Sequence, residues 1–326
     1  FSTLDLVPVR EGGSAAQALR NSLDLAQHVE KFGYNRFWVA EHHNMDGIAS
    51  SATSVLIGYL AGGTSTIRVG SGGVMLPNHA PLVIAEQFGT LESLYPGRID
   101  LGLGRAPGSD QMTARALRRE RSGSADDFPE DVAELVRYLG PRTPDQRVIA
   151  MPGTGTNVPV WLLGSSLFSA QLAGERGLPY AFASHFAPRL MHEAIRVYRN
   201  HFKPSAVLDK PYVMLGVPLV AADTDEQAQY LATSVYQRIL ALMRGQSLVQ
   251  RAPVDTMDGL WLPHEKDAVM SFLGLAMVGS PEKIRAKLAV LIEQTGADEL
   301  IFTSDLYEHA DRIHSYELLA QVMKQG

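Results

Sequence analysis

Eight short apolar runs alternate with longer segments of helical period, and this alternation limits the fold more than any other feature. The predicted strands cover residues 4–9, 37–40, 67–71, 99–103, 160–163, 180–183, 212–221 and 299–303. They are continuous apolar runs, as expected of a parallel sheet covered on both faces. Eight strand–helix units favour an α/β fold of the closed (β/α)₈ TIM-barrel type over an open doubly wound sheet.

A segment of helical period follows each strand. The first, from Ser14 to Phe32, carries apolar residues on one broad face, and Gly33 is placed to end it. The other predicted helices cover 50–60, 81–94, 126–139, 165–176, 188–202, 225–243, 281–294 and 310–323.

Two insertions interrupt the regular alternation, after strands 4 and 7. Residues 141–159 are rich in Pro, Gly and Thr and are predicted to form an excursion or a hairpin. Residues 244–279 are predicted to be irregular, and with Trp261 and Phe272 they form a candidate lid that excludes water. No repeat or low-complexity linker divides the chain. Because a barrel holds one core of ~250 residues or more, we predict a single domain over 1–326.

Composition and charge exclude several classes of function. The chain has no cysteine, which removes disulfides, thiolate nucleophiles and cysteine-ligated metals and fits a cytoplasmic location. Its 29 basic and 35 acidic residues are dispersed, so we expect no nucleic-acid partner. No apolar run approaches the ~18 residues of a membrane span, and no secretory leader is recognised. Since Phe1 already lies in strand-like sequence, we expect a few residues, including the initiator Met, to precede it.

The active site of such a barrel lies at the carboxyl ends of its strands. The second strand is followed by Glu41, His42 and His43. Imidazole titrates near neutral pH and can move protons, and adjacent side chains in extended chain point opposite ways, so one histidine can face the site. Packing of both histidines is the alternative. Zinc is not favoured, because no His-Glu-x-x-His and no third ligand are present.

Glycine-rich segments follow the third and fourth strands. Gly70-Ser71-Gly72-Gly73 would let the backbone approach a flat ring closely, the alternative being a flexible loop. The segment Gly102 to Gly108 superficially resembles a dinucleotide fingerprint. Three strand–helix units precede it and Pro107 stands where a helix should open, so we do not favour a Rossmann site. Arg105 offers a planar charged fork suited to a phosphate.

The fifth strand leads into Gly164-Ser165-Ser166, with Ser169 one helical turn further on. A helix N-terminus with free N–H groups and hydroxyls attracts anions, while plain capping by serine is the alternative. Together with Arg105 from the neighbouring strand, a phosphate site becomes the better account. Ser184, which follows the sixth strand, completes the candidate site.

Taken in order, these motifs resemble the bacterial-luciferase-like, flavin-dependent monooxygenases through nearly the whole chain. The resemblance rests on Ala40-Glu41-His42-His43, on Gly70 to Pro77 with Ala85-Glu86 behind it, on Gly97-Arg98 before Gly102 to Arg105, and on Pro159-Val160-Trp161 before Gly164-Ser165-Ser166. It implies a (β/α)₈ enzyme in which reduced FMN reacts with O₂ to give a C4a-peroxyflavin that oxidises a small organic substrate.

The resemblance also implies a role for each candidate residue. His42 matches the catalytic histidine, and a non-prolyl cis peptide under the flavin is expected at Gly72-Gly73. Gly104 stands where luciferase has a reactive cysteine, so light emission is not expected, and Ser165 stands where luciferase has a glutamate. The residues implied to bind the cofactor are Glu41, Gly72, Gly73, Gly104, Arg105, Gly164, Ser165, Ser166, Ser169 and Ser184.

Partners follow from the same resemblance. No NADH motif is visible, so we expect a separate NAD(P)H-dependent flavin reductase to supply reduced FMN, and we expect a homodimer. Three alternatives stay open: a relative that uses F420 as hydride donor, a flavin-binding protein without turnover, and a metal-dependent barrel hydrolase. Aldehydes, sulfonates, alkanes and aromatic compounds all remain candidate substrates.

Overall fold

Eight parallel strands pair in a ring in the computed structural model, which describes residues 1–106, 111–117 and 127–324. Consecutive strands pair from β1 to β7, and β9 closes the ring by pairing with both β7 and β1. The predicted (β/α)₈ barrel is therefore confirmed. The ring consists of β1 (Ser2–Asp5), β2 (Arg36–Val39), β3 (Arg68–Met75), β4 (Ile99–Gly104), β5 (Val160–Gly164), β6 (Tyr180–Phe182), β7 (Val213–Ala221) and β9 (Glu299–Thr303).

The helices surround this ring, and their ends follow local sequence signals. Ser14 accepts a hydrogen bond from the amide of Gln17 at the start of α1, and Gly33 ends that helix with a left-handed φ of 91°. The helices are α1 (Ala15–Phe32), α2 (Thr53–Gly62), α3 (Pro81–Leu94), α4 (Gln111–Leu117), α5 (Phe128–Leu139), α6 (Leu167–Arg176), α7 (Met191–His201), α8 (Asp225–Met243), α9 (Pro263–Phe272), α10 (Pro281–Thr295) and α11 (His309–Lys324).

The inside of the barrel is narrow and filled by side chains. Trp38 and Trp161 pack edge to face, with ring centroids 5.2 Å apart. Glycines allow neighbouring strands and side chains to pack closely here: a Cβ at Gly72 would lie 2.7 Å from Leu4, and one at Gly102 would lie 2.2 Å from the carbonyl oxygen of Ser71. The barrel's own packing therefore requires glycine at these positions, whether or not a ligand is bound.

Several predicted boundaries were wrong. The first strand ends at Asp5, and Val7 has a φ of 53° that extended chain does not adopt. The third strand continues to Met75 with a shift of register, so Gly72 and Gly73 lie within the strand and not in a loop after it. Residues 141–159 form turns and contain no strand, which excludes the hairpin. The predicted helix start at Asp126, and Pro107 and Gly108, lie outside the described residues.

The segment 244–279 is also more regular than predicted. It contains α9 and a short strand, β8 (Met277–Gly279), that pairs with the carboxyl end of β7 outside the ring. Its first part is bound to the loops after β1 and β2: the amide of Gln250 donates to the carbonyl of Val9 at 2.9 Å. A Cβ at Gly47 would lie 2.0 Å from the carbonyl oxygen of Leu248. This segment therefore lies against the loop that carries His42. None of the helices in the described ranges is long and apolar enough to cross a membrane.

Candidate active site

The two adjacent histidines after β2 have different environments. His43 donates from Nε2 to Oε1 of Glu41 at 2.8 Å. The charge of His42 helps to lower the pKa of His185, which follows β6 on another part of the barrel rim. Of the two adjacent histidines, His42 is therefore the one near enough to influence a group at another strand end.

Glu41 joins the ends of β2 and β3. Its side chain is buried, and Oε1 also accepts a hydrogen bond from Nε2 of His79 at 2.9 Å, while Oε2 accepts one from the amide of Met75 at 3.1 Å. Burial alone would raise the pKa of Glu41, but the hydrogen bonds from His79, His43 and Met75 outweigh it and lower that pKa. Glu41 is consequently an anion whose two oxygens are both bonded within the protein. His79 lies 38 residues away from Glu41 along the chain, so its position after a strand did not point to this contact.

The glycines of β3 and β4 lie where the resemblance placed the flavin. The peptide bond between Gly72 and Gly73 is cis, as predicted. Gly104 is buried at the last position of β4, where a Cβ would lie 3.0 Å from the sulfur of Met75. Met75 thus occupies the space beside Gly104, and its amide is the one held by Glu41.

The predicted phosphate residues come together at the start of α6. Ser166 is the N-cap residue, and its side chain makes no capping hydrogen bond. Ser169 is buried one turn further along, and a Cβ at Gly164 would lie 2.5 Å from its hydroxyl oxygen. Arg105 reaches this turn from the end of β4, with its guanidinium carbon 4.3 Å from the centroid of the Phe168 ring. A cation and the N-terminus of a helix therefore lie side by side.

Ser184 and His185 follow β6 and contact β7. Ser184 is buried and donates from its hydroxyl to the carbonyl of Gly216 at 2.7 Å, so its proton is used to join the two strand ends. Burial and the nearby charge of His42 lower the pKa of His185 to about 4, so its ring is neutral at neutral pH. His185 lies just after the predicted sixth strand, and this position is the signal in the sequence that could have pointed to it.

Comparisons with known proteins identify relatives over the full length of the chain. The sequence profile of the luciferase-like monooxygenases matches residues 1–299. The chain is 58% identical over 325 residues to the uncharacterized protein YvbT of Bacillus subtilis, covering 99% of this chain and 96% of the relative. It is 55% identical over 325 residues to a luciferase-like monooxygenase of Escherichia coli K12 (100% and 97% covered). It is 33% identical over 332 residues to the N-acetyl-S-alkylcysteine monooxygenase of Bacillus subtilis (99% and 98% covered).

Solved structures share the same fold. The apo form of MsnO8 superposes with a TM-score of 0.93 at 36% identity, covering 100% of this chain and 98% of that one. The oxygenating constituent of 3,6-diketocamphane monooxygenase from Pseudomonas putida, in complex with FMN, gives 0.72 at 19% identity (98% and 96% covered). An F420-dependent secondary alcohol dehydrogenase with an F420–acetone adduct gives 0.66 at 13% identity (98% of both chains). At these lower identities the last two show the fold alone.

Proposed function

The chain belongs to the luciferase-like monooxygenase family, and from this premise we propose that it oxidises a small organic substrate with reduced FMN and O₂. A separate NAD(P)H-dependent flavin reductase supplies the reduced FMN. The observation that carries the proposal is the position of Arg105 beside the first turn of α6, at the same end of the barrel as His42. The family makes the protein an oxidoreductase, while the cofactor and the reductase are proposals.

The residues at the start of α6 fit the phosphate of FMN. Arg105 provides a planar set of donors that matches a phosphate. Because the Ser166 side chain makes no capping bond, the N–H groups of the first turn of α6 are not satisfied by it. The positive end of the helix dipole adds to the charge of Arg105 at the same point. Ser165 and Ser169 add hydroxyl groups to this turn.

Among the remaining candidate residues, some support the flavin ring and one donates a proton. When bound, reduced FMN supplies the electrons that activate O₂ for transfer of one oxygen atom to the substrate. The backbone of Gly72 and Gly73 supports the ring, and Glu41 fixes that backbone through the amide of Met75. His42 donates a proton from its imidazole at the reacting end of the site. The segment 244–279 acts as the lid that covers the site and excludes water.

Cofactor binding is tested first, by adding FMN or F420 to the purified protein and recording absorbance spectra and equilibrium titrations. The proposal expects saturable binding of FMN with perturbation of its visible spectrum. Selective binding of F420, with no binding of FMN, would replace it with the deazaflavin alternative. Among the described residues, no group of three or more metal-ligating side chains lies close enough to hold a metal ion.

Turnover is then tested with NADH, a flavin reductase, FMN and O₂ against a panel of substrates. The panel begins with N-acetyl-S-methylcysteine, because one relative of this chain is named for monooxygenation of N-acetyl-S-alkylcysteines. Aldehydes, sulfonates, alkanes and aromatic compounds complete it. The expected product carries one oxygen atom from ¹⁸O₂. Oxidation of NADH that yields only hydrogen peroxide with every compound would favour a flavin-binding protein without turnover.

We also propose that the protein is a homodimer that associates through α2 and α3. These two helices contact each other and expose large apolar side chains, of which Val55 is 74% and Leu94 64% exposed. Exposed apolar groups on adjacent helices are typical of interfaces. Val55→Glu with Leu94→Glu should halve the mass measured by light scattering, whereas Val290→Glu, at a position on α10 that is 50% exposed, should not. A monomeric wild-type protein would overturn this proposal.

A further inference from the structure

The side chain of Met75 lies against the end of β4 at the carboxyl face of the barrel. Met75 is the last residue of β3, and it pairs in register with Gly104, the last residue of β4. A Cβ at Gly104 would lie 3.0 Å from Sδ of Met75 and 3.3 Å from its terminal methyl carbon. The thioether therefore packs on the backbone of Gly104, in space that a side chain at that position would fill.

This thioether lies between the two parts of the proposed FMN site. Along β3, Met75 comes two residues after the Gly72-Gly73 backbone, a distance of roughly 7 Å at the rise of a strand. Across the sheet, its partner Gly104 is followed directly by Arg105. Met75 therefore lies between the backbone proposed to support the flavin ring and the residue proposed to bind the phosphate.

Met75 combines partial exposure with a fixed backbone. It is partly exposed, whereas Met214, inside the barrel, is fully buried. The amide of Met75 donates to Oε2 of Glu41 at 3.1 Å, which holds the end of the strand in place. A methionine thioether is readily oxidised to the sulfoxide. Met75 consequently presents an oxidisable atom at the place where reduced FMN and O₂ are proposed to meet.

We propose that Met75 is a self-oxidation site, at which peroxide formed in the site without substrate converts the thioether into methionine sulfoxide. This inference rests on the proposed function, which supplies hydrogen peroxide from O₂ and reduced FMN when turnover is uncoupled. The peroxide transfers one oxygen atom to Sδ, its O–O bond breaks, and water leaves. The sulfur loses two electrons and the peroxide gains them.

Oxidation at this position should inactivate the protein. The sulfoxide is larger than the thioether and polar, and the thioether already packs closely on Gly104. A polar group that loses its bonds to water on burial is unfavourable, so the oxidised side chain should move away from Gly104 and disturb Arg105 beside it. We expect the oxidised protein to bind FMN about tenfold more weakly, the loss expected for one disturbed hydrogen bond.

The test compares methionines by peptide mass spectrometry after two treatments. In the first, protein in excess over FMN is supplied with NADH, a flavin reductase and O₂ but no substrate, while catalase removes peroxide from solution. Met75 should gain an oxygen atom several-fold more often than Met151, which is 64% exposed in the turns after α5. In the second, hydrogen peroxide is added to protein without flavin, and Met151 should be oxidised first. Met214 should stay reduced in both treatments.

The contrary results separate this inference from the proposed function. An equal ratio of Met75 to Met151 oxidation in the two treatments would show attack from solution and would overturn the inference. So would a Met75 that stays a thioether while FMN is bound and O₂ is consumed, and the proposed function would then stand. If a spectral titration of the same sample shows no FMN binding, the proposed function fails and the inference fails with it.

Met75→Leu provides a second test, in which each protein is compared with its own initial rate. Leucine is similar to methionine in volume and carries no sulfur. During consumption of O₂ without substrate, the wild type should lose its rate as sulfoxide accumulates at Met75, whereas Met75→Leu should keep its rate. Equal decay of the two proteins would contradict the assignment of the inactivation to Met75.

Discussion

The buried polar groups at the two ends of the barrel differ in whether the protein satisfies their hydrogen bonds. At the amino end, Asp100 is buried and accepts hydrogen bonds from Arg36 at 2.7 Å, from Trp38 at 3.1 Å and from Arg68 at 2.6 Å. At the carboxyl end, Nδ1 of His185 is equally buried and has no partner among the described residues. The protein itself satisfies the carboxylate at the amino end, whereas the imidazole nitrogen at the carboxyl end is left without a hydrogen bond from the described residues.

The amino-end network, formed by Arg36, Arg68, Asp100, Tyr212 and Glu299, is satisfied by the protein alone. Arg36 bridges Asp100 and Glu299, and Tyr212 donates to Glu299 at 2.9 Å. Burial would lower the pKa of Arg36, but the two carboxylates more than offset it and raise that pKa. This pattern agrees with the general division of barrels into a stability face and an active-site face.

The largest expected effect is on activity at the carboxyl end. His42→Ala should lose about 10²–10⁴-fold in coupled substrate oxidation, the range for a positioned acid or base, with stability and FMN affinity nearly unchanged. Product yield is measured beside hydrogen peroxide, so that uncoupled oxidation is not counted as turnover. The matched control is His43→Ala, which should be milder because adjacent side chains in extended chain point opposite ways and the ring of His43 bonds Glu41. If His43→Ala is impaired and His42→Ala is not, then His43 and not His42 is the proton donor.

At the amino end, a substitution should lower the stability of the protein and leave its activity nearly unchanged. Asp100→Ala removes the carboxylate that Arg36 and Arg68 share and should lower the free energy of unfolding by about 3–5 kcal/mol. Arg36 would keep only its bonds to Glu299, and Arg68 only those to the carbonyls of Gly97 and Ile99. Asp100→Asn, which keeps the shape, should lose less. Urea denaturation measures both, and activity per folded molecule should stay close to that of the wild type. A stable Asp100→Ala variant with low activity would contradict the division of the barrel into two ends.

Substitution of Glu41 should have a smaller effect on the free energy of unfolding, and this effect should depend on pH. Glu41→Gln should lower the free energy of unfolding by about 1.5–3 kcal/mol at pH 7, the range for hydrogen bonds to a charged group. Because folding lowers the pKa of Glu41, its contribution is present above the unfolded pKa and is lost as pH falls through the folded pKa. The difference between wild type and Glu41→Gln should therefore shrink in acid. Asp223→Asn, at the surface, is the control. A difference that grows in acid would contradict this account.

The sequence predicted the elements with strong periodicity. The bounds of α3 and α8 were correct, because apolar residues recur along them and Pro81 and Thr224 mark their starts. It did not predict α9, in which Val269 is the only fully buried residue, so no apolar face is visible in the sequence. It did not predict β8 either, which has three residues and pairs at the end of a long strand.

The candidate site was predicted residue by residue, but its contacts were not. Position after a strand pointed to His42, Arg105 and Ser166, because strand ends meet at one face of a barrel. The bonds of Glu41 to His79 and the space that Gly216 leaves for His185 join residues that are distant in sequence. Such contacts depend on register and on the curvature of the closed sheet, which apolar periodicity does not specify.

The central feature of the proposed site is FMN phosphate binding between Arg105 and the first turn of α6. Its test is an equilibrium titration of FMN into wild type, Arg105→Ala and Arg176→Ala, the last at the far end of the same helix. Arg105→Ala should weaken FMN binding by about 1.5–3 kcal/mol, or roughly 10- to 150-fold in Kd. Arg176→Ala should bind as the wild type does. Unchanged FMN affinity in Arg105→Ala, or an equal loss in both variants, would contradict the placement.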